Sequence, residues 1–214
     1  TSRLVGSEMC IRDSPRAGTE LEKDMEDYLF TNLLDGMCGS FMAQTSDEIC
    51  KRKGVTRQET DEFAAMSHSR TAKSIEEGIW EQEIVPVNDV TYKDEDHVVL
   101  GSTPESLAEL RTAFGPDSLV TAGNASGVVD GAAAVVIKSA SKAKADGDEP
   151  LARIVSWGIV GLEPAIMAYG PVPSSRLALE RAGLSIEEID RWEINEAFAG
   201  QAAVSYTHLR AHET

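Results

Sequence analysis

The sequence contains, at residues 192–199, the run Trp192-Glu193-Ile194-Asn195-Glu196-Ala197-Phe198-Ala199. Its first three residues predict a short strand, and the residues after them predict the start of a helix. Polar side chains and free backbone N–H groups point toward one place at such a junction. Many α/β units carry polar residues there, and Asn195 could simply cap its own helix turn. The run therefore predicts an α/β fold, and the function needs a second motif.

A glycine-rich run lies upstream, at residues 121–134 (TAGNASGVVDGAAA). Gly123, Gly127 and Gly131 would allow the backbone to approach a ligand closely. Ser126, between the first two of them, offers a hydrogen bond. A tight turn that leads into a buried strand explains the same residues, and glycine spacing alone favours that simpler interpretation.

The string Asn195-Glu196-Ala197-Phe198 and the glycine-rich run together resemble the thiolase family, enzymes that make or break 3-ketoacyl-CoA. The resemblance covers residues 15–203, about half of a thiolase, so the sequence is expected to be an internal fragment. It implies a partial layered α/β/α fold. Residues 15–126 would form the insertion (loop) domain and the end of the N-terminal half. Residues 127–203 would form the first part of the C-terminal domain.

The resemblance implies a role for residues in both motifs. The thiolase serine that matches Ser126 contacts the pantetheine arm of CoA, and Ala122 lies beside it. Asn195 would hold a water molecule that, with a histidine from a later Gly-His-Pro motif, forms an oxyanion hole. Donors of this kind accelerate a reaction because they are fixed where negative charge develops.

Four further residues receive roles in substrate binding from the resemblance. Ala197 and Phe198 would line the acyl and pantetheine tunnel, and Met167 would form a wall of the acyl pocket. Met42 matches a position where His-Met often lines the substrate channel, although Phe41 here replaces the histidine. Glu196, between the catalytic Asn and the tunnel, would support the loop rather than move a proton.

The cysteines do not fit the thiolase pattern. A thiolase needs a nucleophilic cysteine in a Val-Cys-x-Ser-Gly type motif and a second cysteine that acts as acid and base. Cys10, Cys38 and Cys50 match neither. We therefore expect an acyl-CoA acyltransferase fragment that is inactive alone. The whole protein would cleave 3-ketoacyl-CoA by thiolysis, or condense acetyl-CoA in a Claisen reaction, through an acyl-cysteine.

Two alternatives stay open. The chain could be a CoA- or acyl-binding module without catalysis, which keeps Ser126 and Asn195 but never had a nucleophile. It could also be a sterol-carrier-type thiolase-like protein, although those often carry His where this sequence has Asn195. Many thiolases also place an Arg near the position of residues 98–100, which are Val-Val-Leu here, so phosphate binding by this chain is in question.

Composition limits the partners. The net charge is −16, from 20 basic and 36 acidic residues, which argues against binding nucleic acid or an anionic membrane. No apolar run approaches the length of a membrane span, and the spacing of Cys and His gives no metal site. We expect no cofactor apart from CoA as a substrate. We also expect a homodimer or homotetramer at full length, in the cytoplasm of a bacterium, or in mitochondria or peroxisomes if the source is eukaryotic.

Both ends of the sequence look unlike the rest. Residues 6–14 (GSEMCIRDS) and 204–214 (VSYTHLRAHET) resemble translated sequencing-adaptor strings. We therefore expect a non-native leader at residues 1–14 and a non-native tail at residues 204–214, and exclude both from fold reasoning. Ordinary polar termini are the alternative.

Local signals predict the remaining elements. Helices are expected at residues 24–34, 47–53, 56–77, 103–114 and 173–182, and residues 140–150 are expected to be a helix end followed by a loop. Gly54, Gly78 and Gly183 would end three of them. Capping boxes are expected at Thr56-x-x-Glu59 and at residues 185–188. Strands are expected at residues 83–87, 151–160 and 192–194. Residues 131–137 are expected to be a buried strand or its lead-in, and residues 119–122 a short extended segment. The alternation of strands with helices in the second half of the chain supports the α/β class.

Overall fold

The structure is a computed structural model and describes residues 28–86, 98–127, 129 and 132–209. The expected leader at residues 1–14 lies outside this described part, as do residues 210–214 of the expected tail. The expected strand at residues 83–87 also extends past the described residues, and its first part, residues 83–86, is not a strand.

Helices account for most of the regular structure in the described part. One short hairpin accompanies them, in which strand β1 (Leu34–Asp35) pairs antiparallel with strand β2 (Ser40–Phe41). The α-helices are α1 (Tyr28–Leu33), α2 (Met42–Lys53), α3 (Arg57–Glu76), α4 (Pro104–Ala108), α5 (Ala140–Asp146), α6 (Pro171–Ala182) and α7 (Ala199–Leu209). Short 3-10 helices cover Ile79–Gln82, Pro164–Tyr169 and Ile186–Glu188.

Helix α3 begins and ends where the sequence predicts. The Thr56 hydroxyl accepts a hydrogen bond from the Glu59 backbone N–H at 3.2 Å, and the Glu59 carboxylate accepts one from the Thr56 N–H at 2.7 Å. This reciprocal pair satisfies two donors that a helix start otherwise leaves unpaired. At the other end Gly78 has φ of 67°, a left-handed conformation that glycine adopts at little cost. The predicted capping box is therefore confirmed.

The core lies where α2, α3 and α7 meet. Helix α2 packs against α7 and the Pro164–Tyr169 helix, and α3 packs against α4 and α7. One apolar cluster joins residues of α2, the 3-10 helix and α7, namely Ile49, Cys50, Ala168 and Val204. A second joins residues of α3, α4 and α7, namely Ala64, Ala65, Leu107 and Ala199. Small residues at these contacts let α7 lie close to both partners, which fixes the junction that precedes α7.

Three predicted strands are not formed. The structure assigns no strand to residues 132–137, 151–160 or 192–194. The first was expected to be buried, yet the exposed fraction of Val136 is 86%. Ile159, in the second, is 83% exposed. A strand is defined by hydrogen bonds to a neighbour, and β-branched residues select a strand only where such a neighbour and an apolar face are available.

The helix expected at residues 103–114 is shorter than predicted. Pro104 occupies its first position after the Thr103 cap, as expected, but α4 ends at Ala108. Leu110 and Phe114 lie beyond the helix and are 38% and 37% exposed, so they do not continue its buried face. The reason is tertiary: the chain turns back, and the Ala113 N–H donates to the Val120 carbonyl at 2.8 Å.

The expected boundary of the tail does not coincide with a structural boundary. Helix α7 continues to Leu209. The exposed fraction of Val204, Ser205 and Leu209 is 1% or less in each case. The residues expected to be non-native therefore share the helix and the core with those before them. Their origin stays a prediction. None of the helices in the described part of the chain combines the length and apolar character needed to cross a bilayer.

Gly158 is where the segment at residues 151–160 touches the rest of the molecule. A Cβ atom there would lie 2.2 Å from the Ser174 carbonyl oxygen in the backbone of α6. The side chains of Ser156 and Arg181 hold the same contact, by donating to the Ala178 carbonyl at 2.6 Å and to the Trp157 carbonyl at 2.8 Å. The segment can therefore approach α6 this closely only with glycine.

We expect Gly158→Ala to release this segment from α6. Forced overpacking costs about 1–3 kcal/mol, so local opening and chymotryptic cleavage after Trp157 should rise roughly tenfold. Gly161→Ala is the matched control, because a Cβ there meets nothing within 4 Å. The measurement is cleavage followed by mass spectrometry. Equal cleavage of the two variants would contradict the contact.

Candidate functional site

The glycine-rich loop and the 192–199 junction are hydrogen-bonded to each other. The Ser126 N–H donates to the Ala197 carbonyl at 3.0 Å, and the Ala199 N–H donates to the Asn124 carbonyl at 2.8 Å. An isolated antiparallel bridge joins the residues between these bonds. Two segments about 70 residues apart in the sequence thus form one continuous wall.

This wall borders a pocket of about 350 Å³. Ser126, Asn195 and Glu196, three residues singled out in the sequence, line it together. The opposite side comes from α3, which contributes Phe63, Ala64, Ser67, His68 and Thr71. Ser126 and Asn195 are exposed at the pocket, whereas Glu196 is half-buried. The arrangement offers hydroxyl, amide and carboxylate groups to one small ligand.

Helix α7 begins at Ala199, four residues after Asn195. The expectation of a helix start directly after residue 194 is therefore wrong, and Asn195 does not cap its own helix turn. The reason is the pairing of Ala197 and Phe198 with the glycine-rich loop, which takes up both residues before the helix begins. Asn195 is left free to face the pocket.

A buried network holds the glycine-rich loop on α3. Asn124 accepts from the Thr121 N–H at 2.7 Å through Oδ1, and its Nδ2 donates to Asp61 Oδ1 at 2.9 Å. Asp61 Oδ2 accepts from Arg57 Nε at 2.7 Å, and the Asp61 side chain is only 1% exposed. The Arg57 guanidinium also donates to the Leu107 carbonyl at 2.7 Å. Both carboxylate oxygens of this buried charge are thus satisfied, as a buried ion requires.

Helix α3 also contacts the pocket wall directly. Ser67 Oγ donates to Glu196 Oε2 at 2.6 Å, and His68 Nε2 lies 3.0 Å from the Gly123 carbonyl oxygen. Because a carbonyl oxygen only accepts, Nε2 carries the proton in this contact. Sequence reasoning missed Ser67 and His68. Their signal was a polar face, completed by Thr71, on an otherwise ordinary amphipathic helix.

Five other residues that the sequence predicts to bind substrate or CoA are absent from this pocket's lining, namely Met42, Ala122, Met167, Ala197 and Phe198. Met42 begins α2, and Met167 is 44% exposed and lines a separate cavity of about 460 Å³ beside Gly158. Ala122 is exposed within the glycine-rich loop. The structure therefore brings Ser126, Asn195 and Glu196 together but does not bring the two methionines to them. The ligand roles of all of these residues stay predictions.

Neither described cysteine lies in the pocket lining. Cys50 is 1% exposed in the core, and burial raises the pKa of its thiol to about 11. Cys38 lies in the turn between β1 and β2 and is half-buried. The described residues also contain no group of three or more His, Cys, Asp or Glu side chains that could hold a metal ion.

Comparison with known proteins identifies the family. Residues 6–141 match the model described as thiolase, N-terminal domain, and residues 148–214 match thiolase, C-terminal domain. The chain belongs to the thiolase family. The two matches divide the chain between residues 141 and 148, whereas the boundary predicted from the sequence follows Ser126. They also include residues 6–14 of the expected leader and all of the expected tail at residues 204–214.

Curated relatives within the family match this thiolase chain at moderate identity. It is 45% identical to a 3-ketoacyl-CoA thiolase of Marinobacter nauticus over 76% of the chain and 44% of that relative. It is 47% identical to an acetyl-CoA acetyltransferase of Escherichia coli K12 over 79% of the chain and 45% of that relative. The chain therefore spans about half the length of the curated relatives it matches.

Solved thiolase structures share the fold. Human mitochondrial 3-ketoacyl-CoA thiolase in complex with CoA superposes with a TM-score of 0.81 at 38% identity, over 91% of this chain and 50% of that one. The acetyl-CoA acetyltransferase of Bacillus anthracis gives a TM-score of 0.81 at 39% identity, over 91% of this chain and 51% of that one. The expected fold class is confirmed: the chain is α/β and has a partial thiolase fold.

Proposed function

We propose that this chain is part of an acyl-CoA acyltransferase that cleaves 3-ketoacyl-CoA by thiolysis or condenses acetyl-CoA. The observation that carries the proposal is the convergence of Ser126 and Asn195 on one pocket. Curated relatives named 3-ketoacyl-CoA thiolase and acetyl-CoA acetyltransferase support the reaction class. A solved relative in complex with CoA supports the substrate.

In the proposed chemistry, a cysteine thiolate attacks the carbonyl carbon of an acyl group and forms an acyl-cysteine. In thiolysis the thiolate attacks the 3-keto carbon and the bond from that carbon to the α-carbon breaks. The released carbanion takes a proton from the second cysteine and leaves as acetyl-CoA, while the shortened acyl group stays on the first cysteine. CoA thiolate then attacks the acyl-cysteine and regenerates the cysteine. Breaking of the carbon–carbon bond places negative charge on the thioester oxygen of the released carbanion, and Asn195 would hold the water that donates to this oxygen. Ser126 would bind the pantetheine arm.

We further propose that this chain alone supplies no nucleophile. Neither Cys38 nor Cys50 lines the pocket, and the raised pKa of Cys50 keeps it a thiol at neutral pH. A nucleophile must be a thiolate within reach of the bound acyl group. The catalytic cysteines would then come from the part of the fold that the relatives contain beyond their match to this chain.

The test supplies that missing part. In a hybrid chain, residues 28–209 replace the matching half of the Escherichia coli acetyl-CoA acetyltransferase. We expect the hybrid to cleave acetoacetyl-CoA in the presence of CoA. We expect the unmodified chain to bind CoA but not to cleave acetoacetyl-CoA. A hybrid that folds and binds CoA but is inactive would favour a binding module. Turnover by the unmodified chain would overturn the inactivity proposal.

The two described cysteines should differ sharply in reactivity. We expect iodoacetamide to alkylate Cys38 in the native chain, because this residue lies in a turn and is only partly buried, so the reagent can reach its thiol. Cys50 should stay unmodified until the chain unfolds, because burial both excludes the reagent and raises its pKa to about 11. Peptide mass spectrometry reports each site, and labelling in urea is the control in which both should react. Native labelling of Cys50 at the rate of Cys38 would contradict the burial of this thiol.

A further inference from the structure

One turn of α3 touches both halves of the pocket wall. Ser67 holds the Glu196 carboxylate at 2.6 Å, and its neighbour His68 holds the Gly123 carbonyl at 3.0 Å. Glu196 belongs to the junction and directly follows Asn195, whereas Gly123 belongs to the glycine-rich loop. Contacts to one helix therefore hold both loops and fix the distance between them.

We infer that Ser67 is a positioning residue, which fixes Glu196 and so sets the place of Asn195 at the pocket. The inference rests on the proposed function for the identity of the ligand, CoA. It assigns Glu196 a definite partner in its role as loop support. Hydrogen bonds to a charged group are stronger than hydrogen bonds between neutral groups. The bond from Ser67 to the Glu196 carboxylate should therefore contribute more free energy than the bond of an ordinary surface hydroxyl.

Among the described residues, the backbone hydrogen bonds that hold the junction to the glycine-rich loop lie after Glu196 in the chain. Ala197 and Ala199 are bonded to the glycine-rich loop through their carbonyl and N–H groups. Asn195, on the other side of Glu196, is exposed. The Ser67 contact therefore acts at Glu196, which lies between the exposed Asn195 and the hydrogen-bonded residues 197–199. Loss of that contact would widen the range of positions open to Asn195 and would leave residues 197–199 in place.

Helix α3 is rigid enough to hold both loops in place. It has 20 residues, a capping box at its start, and buried contacts to α7 through Ala64 and Ala65. Thr71 Oγ1 bonds back to the Ser67 carbonyl at 3.0 Å, so the turn that carries Ser67 is internally braced. Sites supported by a packed helix hold their geometry better than sites supported by loops alone.

The test compares Ser67→Ala with Ser67→Thr and with Ser69→Ala, in the full chain joined to a solubility partner. Ser69 is exposed two residues further along the same helix and is the matched control. We expect Ser67→Ala to weaken CoA binding about tenfold. Hydrogen exchange should accelerate in peptides that contain residues 195–199 but not in peptides of α2. Ser67→Thr, which keeps the hydroxyl, should restore both readouts to within about twofold.

A double-mutant cycle separates positioning from direct ligand contact. If Ser67 acts through Glu196, the double variant Ser67→Ala with Glu196→Ala binds CoA as Glu196→Ala alone does. Additive losses would show direct contact and overturn the inference, as would unchanged exchange at residues 195–199 in Ser67→Ala. If neither the unmodified chain nor the hybrid chain binds CoA, the proposed function fails, and the exchange measurement alone decides the role of Ser67.

Discussion

Asp61→Ala is expected to lower the free energy of unfolding by about 3 kcal/mol and to detach the glycine-rich loop from α3. Asp61 is 1% exposed and joins Arg57 to Asn124, with 2.7 Å and 2.9 Å contacts. Removal of one partner from a buried pair leaves the other charge uncompensated, which commonly costs about 3–5 kcal/mol. The lower value applies because Arg57 is 25% exposed and can be hydrated.

The loss should be felt at the pocket as well as in global stability. Asn124 would keep its bond to the Leu119 carbonyl at 2.9 Å but lose the acceptor that ties it to α3. The Asn124 carbonyl is also the acceptor for the Ala199 N–H, so a looser Asn124 frees the junction too. CoA affinity and stability should therefore fall together in this variant.

Urea unfolding of the hybrid chain measures the stability change. Glu62→Ala is the matched control, because Glu62 is the next residue on the same helix, is also acidic, and is exposed. Surface substitutions of this kind change stability by no more than about 0.5 kcal/mol. If Asp61→Ala behaved like Glu62→Ala, the network would carry no weight in the fold.

The sequence predicts the helix ends well because their causes are local. Thr56 and Glu59 satisfy each other within one turn, and Thr103 followed by Pro104 starts α4 as the pattern indicates. Gly183 closes α6 with φ of 69°. In each case the residues that decide the structure lie within four positions of one another, so no knowledge of the rest of the fold is needed.

The strands fail for the opposite reason. Residues 132–137 and 151–160 have the β-branched composition of strands, but a strand forms only against a hydrogen-bonded neighbour. Within the described residues these segments remain unpaired and their large apolar side chains are exposed, as Val135 at 83% and Ile159 at 83% illustrate. The solved relatives are about twice as long as the part of them that matches this chain. The β-branched composition of these segments therefore suits a fold larger than this chain.

The site was predicted only where a family pattern reaches it. Ser126 and Asn195 line one pocket because backbone hydrogen bonds pair the two loops that carry them, and their ligand roles stay predictions. Asp61, Ser67 and His68 were missed. Arg57 and Asp61 are spaced i,i+4 like many solvent-exposed helix pairs. Spacing cannot show that the aspartate is buried, since burial comes from the glycine-rich loop that packs over it.

Asn195→Ala is expected to lower kcat of the hybrid chain for acetoacetyl-CoA thiolysis by about a hundredfold, with little change in KM. The reason is that the proposed water on Asn195 donates to an oxygen that becomes negative only during the reaction, so its loss raises the barrier and spares substrate binding. The exposed position of Asn195 at the pocket, outside the backbone pairing of the junction, lets its amide be removed without disturbing the fold.

Steady-state kinetics of Asn195→Ala and Glu193→Ala provide the measurement and its control. Glu193 is exposed two residues earlier and is absent from the pocket lining, so its removal should leave both constants unchanged. If Asn195 only shaped the loop, KM and the free energy of unfolding would change along with kcat. An unchanged kcat would remove Asn195 from the proposed mechanism, whereas a selective loss of kcat would place it where charge develops.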